Sequence, residues 1–175
     1  NTEFEIGSVS KTFTAELLRQ AVERGEVTLD TTVGEILDEA DMSTSDITLK
    51  ELATHTSGLP RILGISAFAV AFSMQRRQNP YDGLTTQRIL DEARTATLTD
   101  RGTYNYSNFG MALLGHLLAR RAGTTYAQLA QERIFTPLGM NSTYVMTPET
   151  TPANAPRGLD ITGHPTAVWD DEGYG

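Results

Sequence analysis

Ser8-Val9-Ser10-Lys11 sets a hydroxyl and an amine three positions apart, where an amphipathic helical pattern begins. In a helix that spacing puts both side chains on one face, one turn apart. A serine hydroxyl is a poor nucleophile until a base takes its proton. Lysine serves as that base only when neutral, which requires desolvation or nearby positive potential. A buried helix N-terminus offers both, because its dipole disfavours an ammonium and favours a developing oxyanion. Gly7, just ahead, lets backbone approach a substrate closely. The same residues also make an ordinary helix start, with serine as cap and lysine solvated. Nine Ser and two Lys in 175 residues produce a chance Ser-x-x-Lys in about one such chain in ten, so the pair alone leaves the plain cap ahead.

A second group is Tyr104-Asn105-Tyr106-Ser107-Asn108-Phe109. From a loop ahead of a leucine-striped helix, Tyr106 could relay a proton between Ser8 and a leaving group. Asn108 could bind a substrate carbonyl or hold the lysine. The plainer alternative has Asn108 capping its helix and Tyr106 packing on the core. Chance produces a Tyr-x-Asn with a likelihood of roughly 0.2 in such a chain, so this pattern is also weak by itself.

The elements that must carry these groups follow from the hydrophobic period. Thr2-Glu3-Phe4-Glu5-Ile6 alternates polar and apolar, the pattern of a half-buried strand, but no hairpin partner follows it. A lone strand is not independently stable. From Val9 the period becomes helical through Phe13, Leu17, Leu18, Ala21 and Val22, with Gly25 as a stop. A short helix is expected over residues 33–37. Residues 48–54 open on a capping box, Thr48 with Glu51 reaching back, and lead into a turn-rich exit over 55–60. Further helices are expected over 66–77 and 86–95. Asn108 is expected to cap a helix striped by Leu113, Leu114, Leu117 and Leu118 and ended by Gly123. Thr125 and Gln128 make a second capping box, opening a helix that runs to about Phe135. Beyond Met146 the chain is rich in Thr, Pro, Gly and Asp, with little periodicity. The pattern predicts a mostly helical segment, a contiguous piece of something larger.

Composition limits the function classes. Hydrophobic residues at 39% and charged residues at 21% are the balance of an ordinary soluble domain with a real core. A net charge of −8, a pI of about 4.8 and scattered arginines argue against a phosphate-binding surface, so nucleic acid is not an expected partner. No apolar run approaches the ~20 residues that span a bilayer. The absence of Cys excludes disulfides, thiolate metal sites and a cysteine nucleophile, and fits either redox compartment. Three isolated histidines without H-E-x-x-H spacing make no zinc site. There is no G-x-S-x-G elbow and no phosphate-cradling glycine loop. His55 is expected to hold a turn, His116 to sit at the boundary of the leucine-striped helix, and Asp170-Asp171-Glu172 to be a solvated acidic loop.

Four stretches, FEIGSVSKTFTAELL, ITLKELATHTSGLP, YNYSNFGMALLGHLLARRAG and IFTPLGMNSTYV, follow one another between residues 2 and 145. Together they resemble the serine β-lactamase and penicillin-binding-protein-like superfamily, in the branch of class C β-lactamases, DD-peptidases and esterases. The resemblance implies an α+β parent fold, an antiparallel sheet flanked by helices plus an all-helical lobe. In those terms residues 1–24 are an edge strand and the nucleophile helix, 25–146 the helical lobe with the Tyr-x-Asn motif, and 147–175 an irregular segment leading back toward the sheet. The resemblance further implies Ser8 as the acylated nucleophile, Lys11 as the partner that activates it, Tyr106 as a proton-shuttling phenol and Asn108 as a substrate-side amide. The backbone N–H of Ser8 would form half of an oxyanion hole. The chemistry implied is acyl transfer from a β-lactam, a D-Ala-D-Ala-like peptide or a small ester to Ser8 and then to water, with no metal or cofactor.

Two departures accompany the resemblance. The family's third motif, Lys/His-x-Gly on a sheet strand, has no copy here, since Thr162-Gly163-His164-Pro165 lacks that form. The missing C-terminal half of the same protein is then an expected partner, and this segment alone is expected to be weak or inactive. Arg101-Gly102 stands where the family commonly has Pro-Gly, a change expected only to loosen a turn. Many relatives are exported, which implies the periplasm or cell exterior, with the cytoplasm left open. The rival reading is a non-catalytic helical module of the same family, a scaffold or a penicillin sensor. The intact set of Ser8, Lys11, Tyr106 and Asn108 stands against it.

Overall fold

The computed structural model describes residues 3–63, 72, 75, 76, 78, 79, 81, 83–160, 162–166 and 173. A 3₁₀ turn, Gly7–Ser10, runs directly into α1 (Lys11–Glu23). Then come α2 (Val33–Leu37), α3 (Leu49–Ala53), α4 (Thr86–Thr95), α5 (Asn108–Ala122) and α6 (Tyr126–Ala130), which continues as a π-helical turn, Gln131–Phe135. Threonine starts four of these helices. Capping boxes pair Thr32 with Glu35, Thr48 with Glu51 and Thr125 with Gln128, while Thr85 accepts from the Arg88 N–H. Each box satisfies two of the backbone donors that a helix start leaves without partners.

α5 is the centre of the molecule. Every residue from Phe109 to Ala119 is buried, as expected of a helix apolar on all sides. The helices α1, α2, α3, α4 and α6 all pack on it. Gly115 brings the neighbouring helix close, since a Cβ there would lie 3.0 Å from the Tyr126 ring. The Tyr126 hydroxyl in turn shares a 2.7 Å hydrogen bond with Thr14 of α1, and Phe13 meets Phe135 edge-on at 5.3 Å. Leu17, Leu18 and Ala21 complete the buried face of α1. The helix that follows Ser8 is thus fixed on the core by burial and by a paired buried hydroxyl.

Three expectations change. The alternating stretch over residues 3–6 forms no strand: Phe4 and Ile6 are exposed, and the described residues hold no strand for it to pair with. Only two isolated bridges occur there, Thr32 with Thr48 and Leu159 with Pro165. His116 is buried rather than at a boundary, with Nε2 2.8 Å from the Gly173 carbonyl oxygen and Nδ1 3.4 Å from the Thr86 hydroxyl. Finally, Ser107, not Asn108, caps α5; its hydroxyl accepts from the Gly110 N–H. Most of the helix expected over 66–77 and the acidic Asp170-Asp171-Glu172 loop lie outside the described residues.

Candidate active site

Gly7 takes a φ of +51°, a left-handed value that favours glycine, and turns the chain from residues 3–6 into the 3₁₀ turn. Ser8 sits in that turn, exposed. The turn has no side-chain cap, so its first N–H groups have no side-chain acceptor. One turn on, the Lys11 ammonium donates to Ser8 Oγ at 3.2 Å. From 98 residues away, the Tyr106 hydroxyl donates to the same oxygen at 2.9 Å. Spacing alone accounted for the first contact; only the fold produces the second.

The segment after α3 positions Tyr106. Residues 55–61 run beside 99–109 and are laced to them through main-chain bonds. Thr99 N–H donates to Gly58 O at 2.9 Å, Gly102 N–H to Thr56 O at 2.8 Å, Asn105 N–H to His55 O at 2.8 Å and Asn108 N–H to Arg61 O at 2.8 Å. Side chains add to this. The Ser107 hydroxyl donates to Pro60 O at 2.7 Å while its N–H donates to His55 Nδ1 at 3.2 Å. His55, at φ +58°, lays its ring 4.6 Å from that of Tyr106 and 5.9 Å from that of Tyr104. The two blocks, LATHTSGLP and YNYSN, are therefore one structural unit.

Electrostatics follow from this packing. Burial, and then the charge of Lys11, hold the His55 imidazole below its ordinary pKa of 6.5. A neutral ring with Nδ1 as acceptor is what the Ser107 N–H requires. Burial alone would raise the Tyr106 phenol, but its interactions with Lys11 and Ser8 and the charges of Lys11 and Arg61 outweigh it, so the phenol lies below the ordinary tyrosine value. Asn108 Oδ1 is buried without a hydrogen-bond partner among the described residues. A buried acceptor left without a partner costs about 1–3 kcal/mol.

Ser8, Lys11 and Tyr106 thus converge on one oxygen, and Asn108 begins the helix two residues beyond Tyr106. With Ser107 as the cap, the Asn108 side chain is released from capping. Arg101 corrects another expectation. It anchors its turn, donating from Nε and Nη2 to the Glu51 carboxylate at 2.7 and 2.8 Å, from Nη1 to Asp46 at 2.7 Å and from Nη2 to the Asp46 carbonyl at 2.8 Å. The His55 contact to the Tyr106 ring was the main feature missed. A histidine two residues past a capped helix signals a turn, but nothing in its spacing identifies which loop it meets.

A sequence model of the family described as Beta-lactamase matches residues 1–174. The chain is 32% identical over 183 aligned positions to a beta-lactamase from Pseudomonas fluorescens, covering 100% of this chain and 47% of that protein. It is 31% identical over 150 positions to the D-alanyl-D-alanine-carboxypeptidase/endopeptidase AmpH of Escherichia coli (strain K12), covering 82% of this chain and 37% of that one. The crystal structure of a class C beta lactamase from Rhodobacter sphaeroides superposes with a TM-score of 0.73 at 32% identity, over 98% of this chain and 46% of that one. The chain belongs to the beta-lactamase family. It has the fold of the class C enzymes over the part it shares with them, and it spans less than half the length of these relatives.

Proposed function

We propose that this protein is a serine hydrolase that works through an acyl-enzyme on Ser8. The observation that carries the reading is the meeting of the Tyr106 hydroxyl and the Lys11 ammonium on Ser8 Oγ, at 2.9 and 3.2 Å. In the reaction the pair acts with one proton fewer, as the Tyr106 phenolate beside the Lys11 ammonium: Ser8 Oγ bonds to the acyl carbon and its proton passes to the Tyr106 oxygen. The carbonyl electron pair moves onto oxygen, which the Ser8 N–H at the start of the helix receives as one half of an oxyanion hole. Collapse expels an amine or alcohol, protonated through Tyr106, and water then repeats the sequence to release the acid. Asn108 serves the substrate side, its orphaned carbonyl oxygen accepting a substrate amide N–H.

The relatives are named as beta-lactamases and a D-alanyl-D-alanine carboxypeptidase, which supports β-lactams and D-alanyl peptides as the substrate classes, with small esters as a third. Among the described residues no helix is long and apolar enough to cross a membrane. The family supports a periplasmic or secreted setting. Within the whole protein we assign residues 1–24 to the catalytic domain, 25–146 to the helical lobe and 147–175 to the return toward the sheet.

Incubation of the full-length protein with a fluorescent penicillin and a fluorophosphonate tests the reading. Wild type is expected to take up at least one of these labels, and Ser8→Ala neither. A folded wild type that takes up neither probe contradicts it and favours a non-catalytic member of the family.

A further inference from the structure

The half-buried Tyr106 ring is flanked by groups from two segments, α1 and residues 55–61. The Lys11 ammonium of α1 lies 5.1 Å from its centroid, the Arg61 guanidinium carbon 5.0 Å, and the His55 ring 4.6 Å at a tilt of 39°. Arg61 is the cation of this set that belongs to neither Ser-x-x-Lys nor Tyr-x-Asn. Its guanidinium makes no ion pair with any described residue, unlike Arg94, Arg101 and Arg133, which all face carboxylates. Meanwhile its carbonyl accepts the Asn108 N–H at 2.8 Å and the Phe109 N–H at 3.4 Å. Main chain and side chain of one residue thus act on both ends of the Tyr106–Asn108 motif.

We propose that Arg61 is a positioning residue for Tyr106, its guanidinium lying over the phenol ring, holding the hydroxyl toward Ser8 and favouring the phenolate. A cation over an aromatic face is attracted by the ring quadrupole, and more strongly once the ring carries a negative charge. The lowered Tyr106 pKa, to which the Arg61 charge contributes after Lys11 and Ser8, agrees with this. Neutral His55 supplies contact without charge, so among the described residues the cations facing the phenol are Lys11 and Arg61. Only the kinetic consequence rests on the serine-hydrolase reading; the hold on the phenol does not.

Arg61→Met keeps the carbonyl contacts and the length of the stem while removing the charge. Tyrosinate absorbance is titrated in the full-length protein and in this variant, each against its Tyr106→Phe counterpart, so that the difference isolates Tyr106. A charge about 5 Å away at a solvent-accessible site shifts a pKa by roughly half a unit, so the Tyr106 midpoint is expected to rise by that much or more. Arg157→Met, which removes an exposed cation elsewhere, is expected to leave it in place. An unchanged midpoint in Arg61→Met, or an equal rise in Arg157→Met, overturns the proposal. If penicillin acylation occurs, its alkaline-rising limb moves up with the same midpoint. A shifted titration in a wild type that neither penicillin nor a fluorophosphonate labels keeps the role of Arg61 and removes the hydrolase reading. Acylation with an unshifted titration does the reverse.

Discussion

At the scale of residues, the account rests on one serine oxygen receiving two donors, and each donor has its own signature. Removing the Tyr106 hydroxyl while keeping its ring, in Tyr106→Phe, is expected to slow Ser8 acylation by about 10²–10⁴-fold, the range for a lost general acid–base group; stopped-flow labelling measures it. His55 leaves a mark on stability. Its folded pKa lies below the ordinary 6.5 of the unfolded chain. At neutral pH both states are unprotonated and the residue adds no pH dependence. As pH falls through 6.5 the unfolded chain takes up a proton that the folded one refuses, so stability declines toward the folded pKa. Urea midpoints between pH 8 and 5 are expected to fall more steeply for wild type than for His55→Gln, and parallel curves would contradict this. The contact of Ser8 with Lys11 was legible in the sequence because a one-turn spacing implies it. The contact of Tyr106 with Ser8 was not, because no local rule joins residues 98 positions apart.

At the scale of elements, the Thr48 and Thr125 capping boxes and the glycine stops were readable because capping is local chemistry. The start of α5 shows the limit of such reading. Asn108 and Ser107 are both good caps by type, and the choice fell to Ser107 because its hydroxyl also reaches the Pro60 carbonyl and its N–H reaches His55. Tertiary partners decided between two locally equal options. Arg101 is a similar case, since its partners Asp46 and Glu51 lie about fifty residues back. Glu51 is held down to about 2, chiefly by its hydrogen bonds from Arg101. Its contribution is present above the ordinary carboxylate value and is lost as pH falls toward 2. Arg101→Ala is expected to cost about 1–2 kcal/mol at neutral pH, a figure discounted for the partial exposure of the pair, and to bring the Glu51 pKa back up. Urea denaturation and NMR titration of the carboxyl read both effects.

At the scale of the whole molecule, the central helix α5 and the clamp on α1 decide where the nucleophile sits. Tyr126→Phe removes the partner of the buried Thr14 hydroxyl and is expected to cost about 1–3 kcal/mol, seen as a lowered thermal midpoint with the fold retained. The mostly helical character and the family were legible in the sequence, since four ordered blocks carry far more information than either short motif. The period-2 stretch over 2–6 predicts a strand, but a strand exists only against a neighbour, which the described residues do not provide. The chain matches less than half the length of its relatives, so the central claim is tested on the whole protein. Peptide-mapping mass spectrometry after separate exposure to a penicillin and to a fluorophosphonate measures it directly. The account predicts one covalent adduct, from at least one of the two probes, on the peptide carrying Ser8, absent in Ser8→Ala and slowed in Tyr106→Phe. An adduct on any other residue, or none on a folded wild type, contradicts it.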